Sequence, residues 1–382
     1  MRGRMMPEIE RAGAGLGSAQ VVVACSELAP SLEFFTDQLG MRVDVIFPAE
    51  SPTTAVISGH GLTLRLEERA GAPPSAIELR LTCDPVLLPD GATTVLTAPD
   101  GTRIELVVAL APIELPEVAH EFVVSRELGD ESWVLGRAGM HYRDLIPSRL
   151  GGRFVASHIR IPDGGDVPDY VHFHKIRFQM IFCRTGWARL VYEDQGEPFL
   201  LRAGDCVLQP PEIRHRVLEA SPGLEVIELG CPAIHETHAD HQMSLPSGLA
   251  DRDFGGQRFV RHIAADAPWL PWRVDGAEVR DTGIAAATAG LAGVRVVRSV
   301  AGAATALAAH TGELLFMFVL AGDLDVVVDG AEQTLSSGDS CALPADTPFS
   351  LRLRPGVEVL EVTLPGDLLW KVVFETAAAG AT

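Results

Sequence analysis

The sequence predicts a mainly β protein in which a small α+β domain precedes two similar units, each a β-sandwich or β-barrel. One observation is a series of short β-runs separated by turn-forming residues, which begins near residue 122. Another is an internal repeat, since the segment around Gly186 has a counterpart around Gly322 with similar hairpins on either side. A third is a single amphipathic helical pattern near the N-terminus, which lies among short strands.

Composition divides the chain into seven segments. Stretches with proline and little hydrophobic periodicity separate the three regions of strand-like pattern. The predicted segments are a flexible leader at 1–17, the α+β domain at 18–110, a linker at 111–121, the first barrel at 122–245, a connection at 246–275, the second barrel at 276–370 and a tail at 371–382.

The α+β domain contains one predicted helix. Leu28, Leu32 and Phe35 fall on one face of that helix. Ser26 is a suitable N-cap, and Gly40 is a suitable stop at the C-terminal end. The stretches SLEFFTDQLGMRV and PDGTRIELV resemble the glyoxalase/vicinal-oxygen-chelate family, whose module has the order βαβββ.

In the vicinal-oxygen-chelate family, metal ligands come from the first and last strands of each of two modules. The second module is cut short in this chain, because few residues separate its first strand from its last. The resemblance therefore implies a structural or lid role for the domain, with a catalytic role as the alternative. Residues at or near the family's ligand positions are Gln20, Glu67, Glu78 and Glu105.

The stretch from Tyr170 to His215 carries a candidate metal site. His172 and His174 are two residues apart, so on a strand both side chains point to the same face. Gln179 follows on the next strand, and His215 comes after a turn that contains two prolines. Three imidazoles and one amide oxygen suit Fe, Mn, Ni, Cu or Zn, and they leave coordination positions open for a substrate.

These residues resemble the two sequence motifs of the cupin family, whose fold is a double-stranded β-helix, or jelly-roll. Two positions depart from the motifs: Gln179 replaces the usual glutamate, and Glu212 replaces a usual glycine. Loss of that glutamate removes one negative charge from the metal site. The matching residues are Gly165, His172, His174, Gln179 and Gly186 for the first motif, and Gly204, Asp205, Pro210 and His215 for the second.

The cupin resemblance implies a divalent metal held by the three histidines. Gln179 is then either a weak fourth ligand or a residue that orients a ligand histidine. The repeat makes the protein a bicupin with one metal site, because the second copy lacks the ligands. Aligning the two copies on their glycines places Ala308, His310, Leu315 and Phe349 opposite His172, His174, Gln179 and His215.

Four further side chains are candidates for substrate binding. Lys175 and Arg177 lie in the bend between the ligands, where one of them could pair with a substrate carboxylate. The alternative is that both face solvent. Tyr170 and Arg160 could line the mouth of the barrel. The histidine-rich segment CPAIHETHADH at 231–241 is interpreted as a capping loop, with a second metal site as its alternative. No catalytic residue is assigned.

Bulk properties exclude some partners. The formal net charge is −20, which argues against nucleic acid, because phosphate binding needs a basic surface. No apolar run approaches the ~20 residues of a membrane span. Six cysteines occur without a CxxC pair, which is typical of a reduced compartment and predicts a cytoplasmic protein.

By its resemblance to bicupins with one active barrel, the protein is predicted to be an Fe(II)-dependent dioxygenase. Its partners would be O₂ and a small anionic, enolic or phenolic substrate. Mn, Ni or Zn would suit the same ligands. The alternatives are a non-redox isomerase, decarboxylase or lyase, and a cupin that binds a small molecule without turnover. A homodimer is expected by analogy with the family.

Overall fold

The computed structural model describes residues 17–372 except 85, 87, 89–93, 109–112, 130–131 and 137–138. The chain divides into two compact units, at Met1–Pro112 and Ile113–Thr382. Within the described residues, no helix is long and apolar enough to cross a membrane.

The N-terminal unit combines one α-helix with two sheets in its described part. Its elements are β1 (Val21–Cys25), α1 (Leu28–Glu33), β2 (Arg42–Phe47), β3 (Thr54–Gly59), β4 (Leu62–Glu68), β5 (Glu78–Cys83), β6 (Thr94–Thr97) and β7 (Arg103–Val108). The first sheet has the order β1-β4-β3-β2, with β1 parallel to β4, and the second has the order β5-β7-β6. The helix packs its apolar face into the core that these sheets share.

The prediction of Ser26 as the helix N-cap was wrong. The N-cap is Glu27, and its side chain makes no hydrogen bond to the backbone N–H groups of the first helical turn. Instead the Glu68 carboxylate, which comes from β4, accepts a hydrogen bond from the backbone N–H of Leu28 at 2.9 Å. Gly40, the predicted stop, has a φ of 66°, which a residue without a Cβ adopts at little cost.

The second unit begins with the strands of the first barrel. These are β8 (Val123–Ser125), β9 (Val134–Leu135), β10 (His141–Asp144), β11 (Val155–Ile161), β12 (Gly165–Asp166), β13 (His172–His174), β14 (Phe178–Thr185), β15 (Trp187–Tyr192), β16 (Phe199–Arg202), β17 (Cys206–Leu208), β18 (His215–Ala220), β19 (Leu224–Cys231), β20 (Thr237–Ala239) and β21 (Val260–His262).

The second barrel follows with a similar series. Its elements are β22 (Leu270–Pro271), β23 (Ala277–Asp281), α2 (Ile284–Ala287), β24 (Gly293–Ser299), β25 (Ala303–Ala304), β26 (Ala308–His310), β27 (Leu314–Ala321), β28 (Asp323–Val328), β29 (Ala331–Ser336), β30 (Ser340–Leu343), β31 (Phe349–Leu353), β32 (Val357–Leu364) and β33 (Trp370–Val372).

Each barrel consists of two sheets, and the strand order is the same in both. The first barrel has the orders β21-β17-β14-β19-β11-β10-β9 and β16-β15-β18-β13-β20. The second has β22-β23-β24-β32-β27-β30-β8 and β29-β28-β31-β26-β33. The prediction of a mainly β fold with two jelly-roll barrels is confirmed.

The barrels also exchange edge strands. β8, which precedes the first barrel, completes a sheet of the second, and β21, which precedes the second barrel, completes a sheet of the first.

The repeated glycines have a conformational reason. Gly186 and its counterpart Gly322 have φ values of 72° and 70°, in turns that follow β14 and β27. Gly204 and its counterpart Gly338 have φ values of 89° and 95°. Side chains with a Cβ rarely adopt this region, so glycine is required at the same turns of both barrels.

The two barrels share one hydrophobic core. Phe178 and Ile227 of the first barrel belong to the same buried cluster as Phe316 and Leu360 of the second, and all four are 0% exposed. A polar contact also crosses the boundary: the guanidinium of buried Arg143 donates to the carbonyl of Gly338 at 2.5 Å. The barrels therefore form one packed body rather than two independent ones.

Candidate metal centre

The three predicted histidines lie together on one sheet of the first barrel. His172 on β13 is paired directly with His215 on the neighbouring strand β18, and His174 lies on the same face as His172. The potential ligand atoms of all three lie within 4.8 Å of one another. Such convergence of three imidazoles fits a divalent transition metal.

Each of these imidazoles is oriented through its Nδ1 atom. The Nδ1 atoms of His172 and His215 lie 2.8 and 3.0 Å from the backbone carbonyl oxygen two residues earlier in the chain. Because a carbonyl only accepts, Nδ1 carries the proton and Nε2 carries the lone pair. The Nδ1 of His174 lies 3.0 Å from the hydroxyl of Thr237. His172 and His215 thus have the tautomer that metal-binding histidines require, and the ring of His174 is supported at the same atom.

The turn before β18 explains why Glu212 can stand where cupins usually have glycine. Glu212 has a φ of 60°, in the left-handed region that glycine favours. Its backbone N–H donates to the carbonyl of His174 at 3.1 Å. The turn therefore keeps the conformation of the motif, at a cost of about 1 kcal/mol for the non-glycine residue, and ties two ligand strands together.

A cavity of about 220 Å³ opens beside the histidines. Its remaining polar lining comes from Gln179, Tyr192, Gln209, Glu228, His235 and Thr237. Most of the wall is apolar, as is usual for small-molecule sites. The apolar lining residues are Met140, Ile159, Ile161, Ile181, Ala188, Leu190, Leu201, Val217, Leu224 and Val226, together with the ring of Tyr142.

A directed chain of hydrogen bonds runs through the polar part of this cavity. The hydroxyl of Tyr192 donates to Oε1 of Gln209 at 2.7 Å. Gln209 donates from Nε2 to Oε1 of Gln179 at 3.2 Å, and that Nε2 also lies 3.2 Å from Nε2 of His215. Gln179 in turn donates from Nε2 to the carboxylate of Glu228 at 2.7 Å. Both ends of the Gln179 amide are used in this chain, which favours an orienting role over that of a fourth ligand.

The donor at the start of this chain is held in its protonated form. Burial, and after it the negative charge of Glu228, raises the pKa of Tyr192 well above its ordinary value. The phenol therefore keeps its proton and donates to Gln209 at any physiological pH. With a donor at one end and a carboxylate acceptor at the other, the orientation of both amides is determined.

The sequence analysis missed three polar residues of the cavity, Tyr192, Gln209 and Glu228, and Glu228 is the charged one. It lies on β19, about fifty residues beyond the first motif, and no motif includes it. The repeat contained a usable signal, because Glu361 occupies the matching position on β32: Ile181 pairs with Glu228, and Met317 pairs with Glu361. An acidic residue that both copies retain on a core strand is unusual, since buried carboxylates need partners.

None of the four predicted substrate-binding residues lines the cavity. Arg177 forms hydrogen bonds with Glu313 of the second barrel, at 2.9 and 3.1 Å. Lys175 lies 3.6 Å from the carboxylate of Glu236. Arg160 stacks over the ring of Trp133, and Tyr170 is 41% exposed with its ring 5.9 Å from that of His172.

Glu313 of the second barrel binds Arg153 and Arg177 of the first, and this ion-pair cluster can be tested for its contribution to stability. Burial raises the pKa of the Glu313 carboxyl, but hydrogen bonds from Arg177 and Arg153 lower it more, so the pKa lies below the ordinary 4.5. Glu313→Gln is expected to destabilise the protein by about 1–2 kcal/mol at pH 7, because these three side chains are a third exposed or less. Urea unfolding of both proteins measures the difference.

The pH dependence of that difference follows from the lowered pKa. A carboxyl with a lowered pKa stabilises the fold above its unfolded pKa, and the contribution is lost as pH falls through its folded pKa. The gap between wild type and Glu313→Gln should therefore shrink below about pH 4.5. Glu332→Gln, at an exposed position of the same barrel, controls for loss of charge alone. A gap that is independent of pH would contradict the ion-pair explanation.

The histidine-rich segment is more regular than predicted. Part of it forms β20, which pairs with the ligand strand β13, so the expectation of an irregular loop was wrong. His235 lines the cavity with its ring 5.3 Å from that of His174. His238 is bonded to Glu236 instead, and Asp240 to Arg214. Within the described residues these side chains do not form a second cluster of metal ligands.

The candidate ligands of the N-terminal unit are also separated by their partners. Glu67 accepts hydrogen bonds from Arg65 and Arg69, both at 2.6 Å. Glu105 lies 3.3 Å from Arg80, and Glu78 is paired with Arg103. Gln20 is exposed. The three candidate glutamates are thus each paired with arginine.

The second barrel keeps the geometry of the site without its ligands. Ala308 pairs with Phe349 in the register in which His172 pairs with His215. His310 is fully buried, and its Nε2 donates to the carbonyl of Leu343 at 3.0 Å. Leu315 is buried in the core, where Gln179 faces the cavity in the first copy.

Two jelly-roll barrels of the same strand order, one of which carries three convergent histidines, define a bicupin fold. Residues 295–363, within the second barrel, match the family model described as Cupin domain. The fold is similar to that of salicylate 1,2-dioxygenase from Pseudaminobacter salicylatoxidans, with a TM-score of 0.51 and 15% identity over 68% of this chain and 90% of that chain.

Other solved structures give a similar result. A mutant of that dioxygenase, in complex with gentisate, has a TM-score of 0.51 and 16% identity over 69% of this chain and 88% of that chain. A deletion mutant of oxalate decarboxylase from Bacillus subtilis has a TM-score of 0.48 and 14% identity, over 63% and 76%. No curated protein matches the chain. The likeness to the two dioxygenase structures, at 15% and 16% identity, shows the fold alone.

Proposed function

We propose that the first barrel is the active site of an Fe(II)-dependent dioxygenase that acts on a small enolic or phenolic substrate. The observation that carries the proposal is the set of three convergent imidazoles, each supported at Nδ1, beside a mostly apolar cavity. The likeness of fold to salicylate 1,2-dioxygenase supports a reaction of this kind. Mn, Ni or Zn would suit the same ligands.

The ligands determine what such a centre can do. His172, His174 and His215 are neutral, so a bound divalent ion keeps its full charge and favours substrates that bind through anionic oxygens. The metal would supply a binding position for those oxygens and the electrons for O₂. The side chains have separate tasks: the apolar wall excludes water, while Gln209 and Gln179 hold their orientation through Tyr192 and Glu228.

A non-redox isomerase, decarboxylase or lyase is the second candidate, and Glu228 favours it. Such reactions need a group that accepts a proton near the substrate. Glu228 is a half-buried carboxylate in the wall of the cavity. Glu228→Gln should abolish a reaction that depends on proton transfer to this carboxylate. A dioxygenase would keep its oxygen uptake in that variant.

Oxygen consumption separates these candidates. The purified protein, loaded with Fe(II), is mixed with a panel of small phenols, enols and aromatic acids while dissolved O₂ is recorded. Uptake equal to the product formed, and absent in His215→Ala, is the result expected of a dioxygenase. Product without uptake would favour the non-redox candidate. Binding with neither uptake nor product would leave a small-molecule-binding cupin.

We also propose that the N-terminal unit is a shortened module of the vicinal-oxygen-chelate type with a structural role. Its β1-α1-β2-β3-β4 order, in a sheet where β1 is parallel to β4, supports the resemblance. The arginine partners of Glu67, Glu78 and Glu105 support a structural role. The homodimer and the cytoplasmic location stay predictions.

A further inference from the structure

The cavity beside the three histidines has an unusual balance of charge. Its described lining includes no lysine and no arginine, and its only carboxylate is Glu228. A substrate that carries a carboxylate away from the metal would therefore meet no cation in this wall. It would meet one negative charge.

Glu228 lies at the boundary between the polar and the apolar parts of the cavity. In the sheet order β14-β19-β11-β10, Gln179 is on the first of these strands and Glu228 on the second. Ile159 and Tyr142 line the cavity from the next two strands. On this sheet Glu228 therefore lies between Gln179 on one side and strands that contribute apolar lining side chains on the other.

The two cations predicted to bind a substrate carboxylate from the bend between the ligands are held by partners. Arg177 is bonded to Glu313 at 2.9 Å, and Lys175 lies 3.6 Å from Glu236. Turning either side chain toward the cavity would break an ion pair and leave a carboxylate behind. Arg153 contacts the same Glu313 carboxylate at 2.5 Å.

We propose that the substrate is an enol or phenol that is uncharged and apolar beyond the oxygens that bind the metal, and that Glu228 excludes carboxylate analogues. The proposal rests on the proposed function, since it assumes that the substrate binds at the three histidines. The physical reason is that a buried carboxylate without a cation is strongly disfavoured, whereas a methyl group against Ile159 and Val226 is favoured. The carboxylate of Glu228, which lines the same cavity, adds direct repulsion.

Two probes of matched shape test the preference. 4-Methylcatechol and 3,4-dihydroxybenzoate carry the same pair of metal-binding oxygens and differ in a methyl or a carboxylate on the far side of the ring. Binding to the full-length protein loaded with Fe(II) is measured by calorimetry without O₂, so that turnover plays no part. We expect 4-methylcatechol to bind at least about tenfold more tightly, which corresponds to 1.4 kcal/mol.

Glu228→Gln isolates the contribution of the carboxylate. This variant should reduce the preference for 4-methylcatechol over 3,4-dihydroxybenzoate about tenfold, because it removes a repulsion that only the carboxylate probe meets. Glu219→Gln is the matched control, because Glu219 lies on β18 of the same barrel, is paired with Arg189 at 3.2 Å and does not line the cavity. It makes the same change of net charge and should alter neither affinity.

The outcomes distinguish an error in the substrate class from an error in the proposed function. If both probes bind wild type equally, or if 3,4-dihydroxybenzoate binds it more tightly than 4-methylcatechol does, the proposed substrate class is wrong. The proposed metal-binding function would still stand. If neither probe binds to the iron-loaded protein, chelation at the histidines fails, and the proposed function fails with it. If Glu228→Gln does not fold, the comparison of the two probes on wild type still decides the substrate class.

Discussion

Replacing His215 by alanine is expected to remove the metal from the protein. His215 is one of three convergent ligands, and the two that remain lie on the single short strand β13. Loss of a residue that only supports a ligand costs 10–100-fold in metal affinity, so loss of a ligand itself should cost at least about a hundredfold. Elemental analysis after dialysis should give one metal per chain for wild type and less than about a tenth of that for His215→Ala.

A matched histidine variant controls for general damage to the barrel. His238 lies on the adjoining strand β20, and its Nε2 is bonded to Glu236, so His238→Ala should keep its metal. Added Fe(II) should also raise the stability of wild type and of His238→Ala by about 2.7 kcal/mol at a hundred times Kd, with no effect on His215→Ala. Full metal retention by folded His215→Ala would show that the three histidines are not the site.

The histidines could be predicted because their geometry is local. Residues two apart on a strand share a face, so His172 and His174 were known to be neighbours from the sequence alone. To place His215 beside them, the sequence analysis needed only one further assumption, that the hairpin of the second motif lies next to that of the first. The pairing of His172 with His215 shows that it does. The repeat was visible for a related reason: glycines with φ values near 70–95° recur at the same turns of both barrels.

Glu228 and Arg177 were harder to place because long-range contacts decide their roles. Glu228 enters the cavity on a strand with no motif, and its link to Gln179 spans 49 residues. Arg177 sits in a bend whose orientation depends on Glu313, 136 residues further along the chain. Hydrophobic pattern predicts which face of a strand is buried, but it does not identify a polar partner from another strand.

The exchange of edge strands is another long-range feature that the sequence pattern did not predict. The sequence analysis assigned residues 122–245 to the first barrel, yet β8, which lies in that range, pairs with β30 of the second. Alternation of side chains indicates that a segment is a strand, while the sheet that it joins depends on which edge is open nearby. Because β21 joins the first barrel in the same manner, neither barrel has a complete sheet without the other's connecting segment.

This exchange, together with the shared core, predicts that the two barrels unfold as one. Leu360→Ala removes a fully buried side chain of the second barrel from the cluster that also contains Phe178 and Ile227 of the first. We expect it to cost about 2–5 kcal/mol, the usual range for a buried leucine. Circular dichroism in urea reports the loss of both barrels, and release of the bound metal reports the first barrel alone.

If the barrels form one cooperative body, both signals should move to lower urea by the same amount, even though Leu360 belongs to the barrel without the metal site. Leu369→Ala makes the same chemical change in the same barrel at a position that is 74% exposed, and it should change stability by less than about 0.5 kcal/mol. Metal release that stays at the wild-type urea concentration in Leu360→Ala would mean that the first barrel survives the loss of the second. In that case the second barrel would be a separable domain. The hydrophobic core that the two barrels share would then not be needed to hold the three histidines in place.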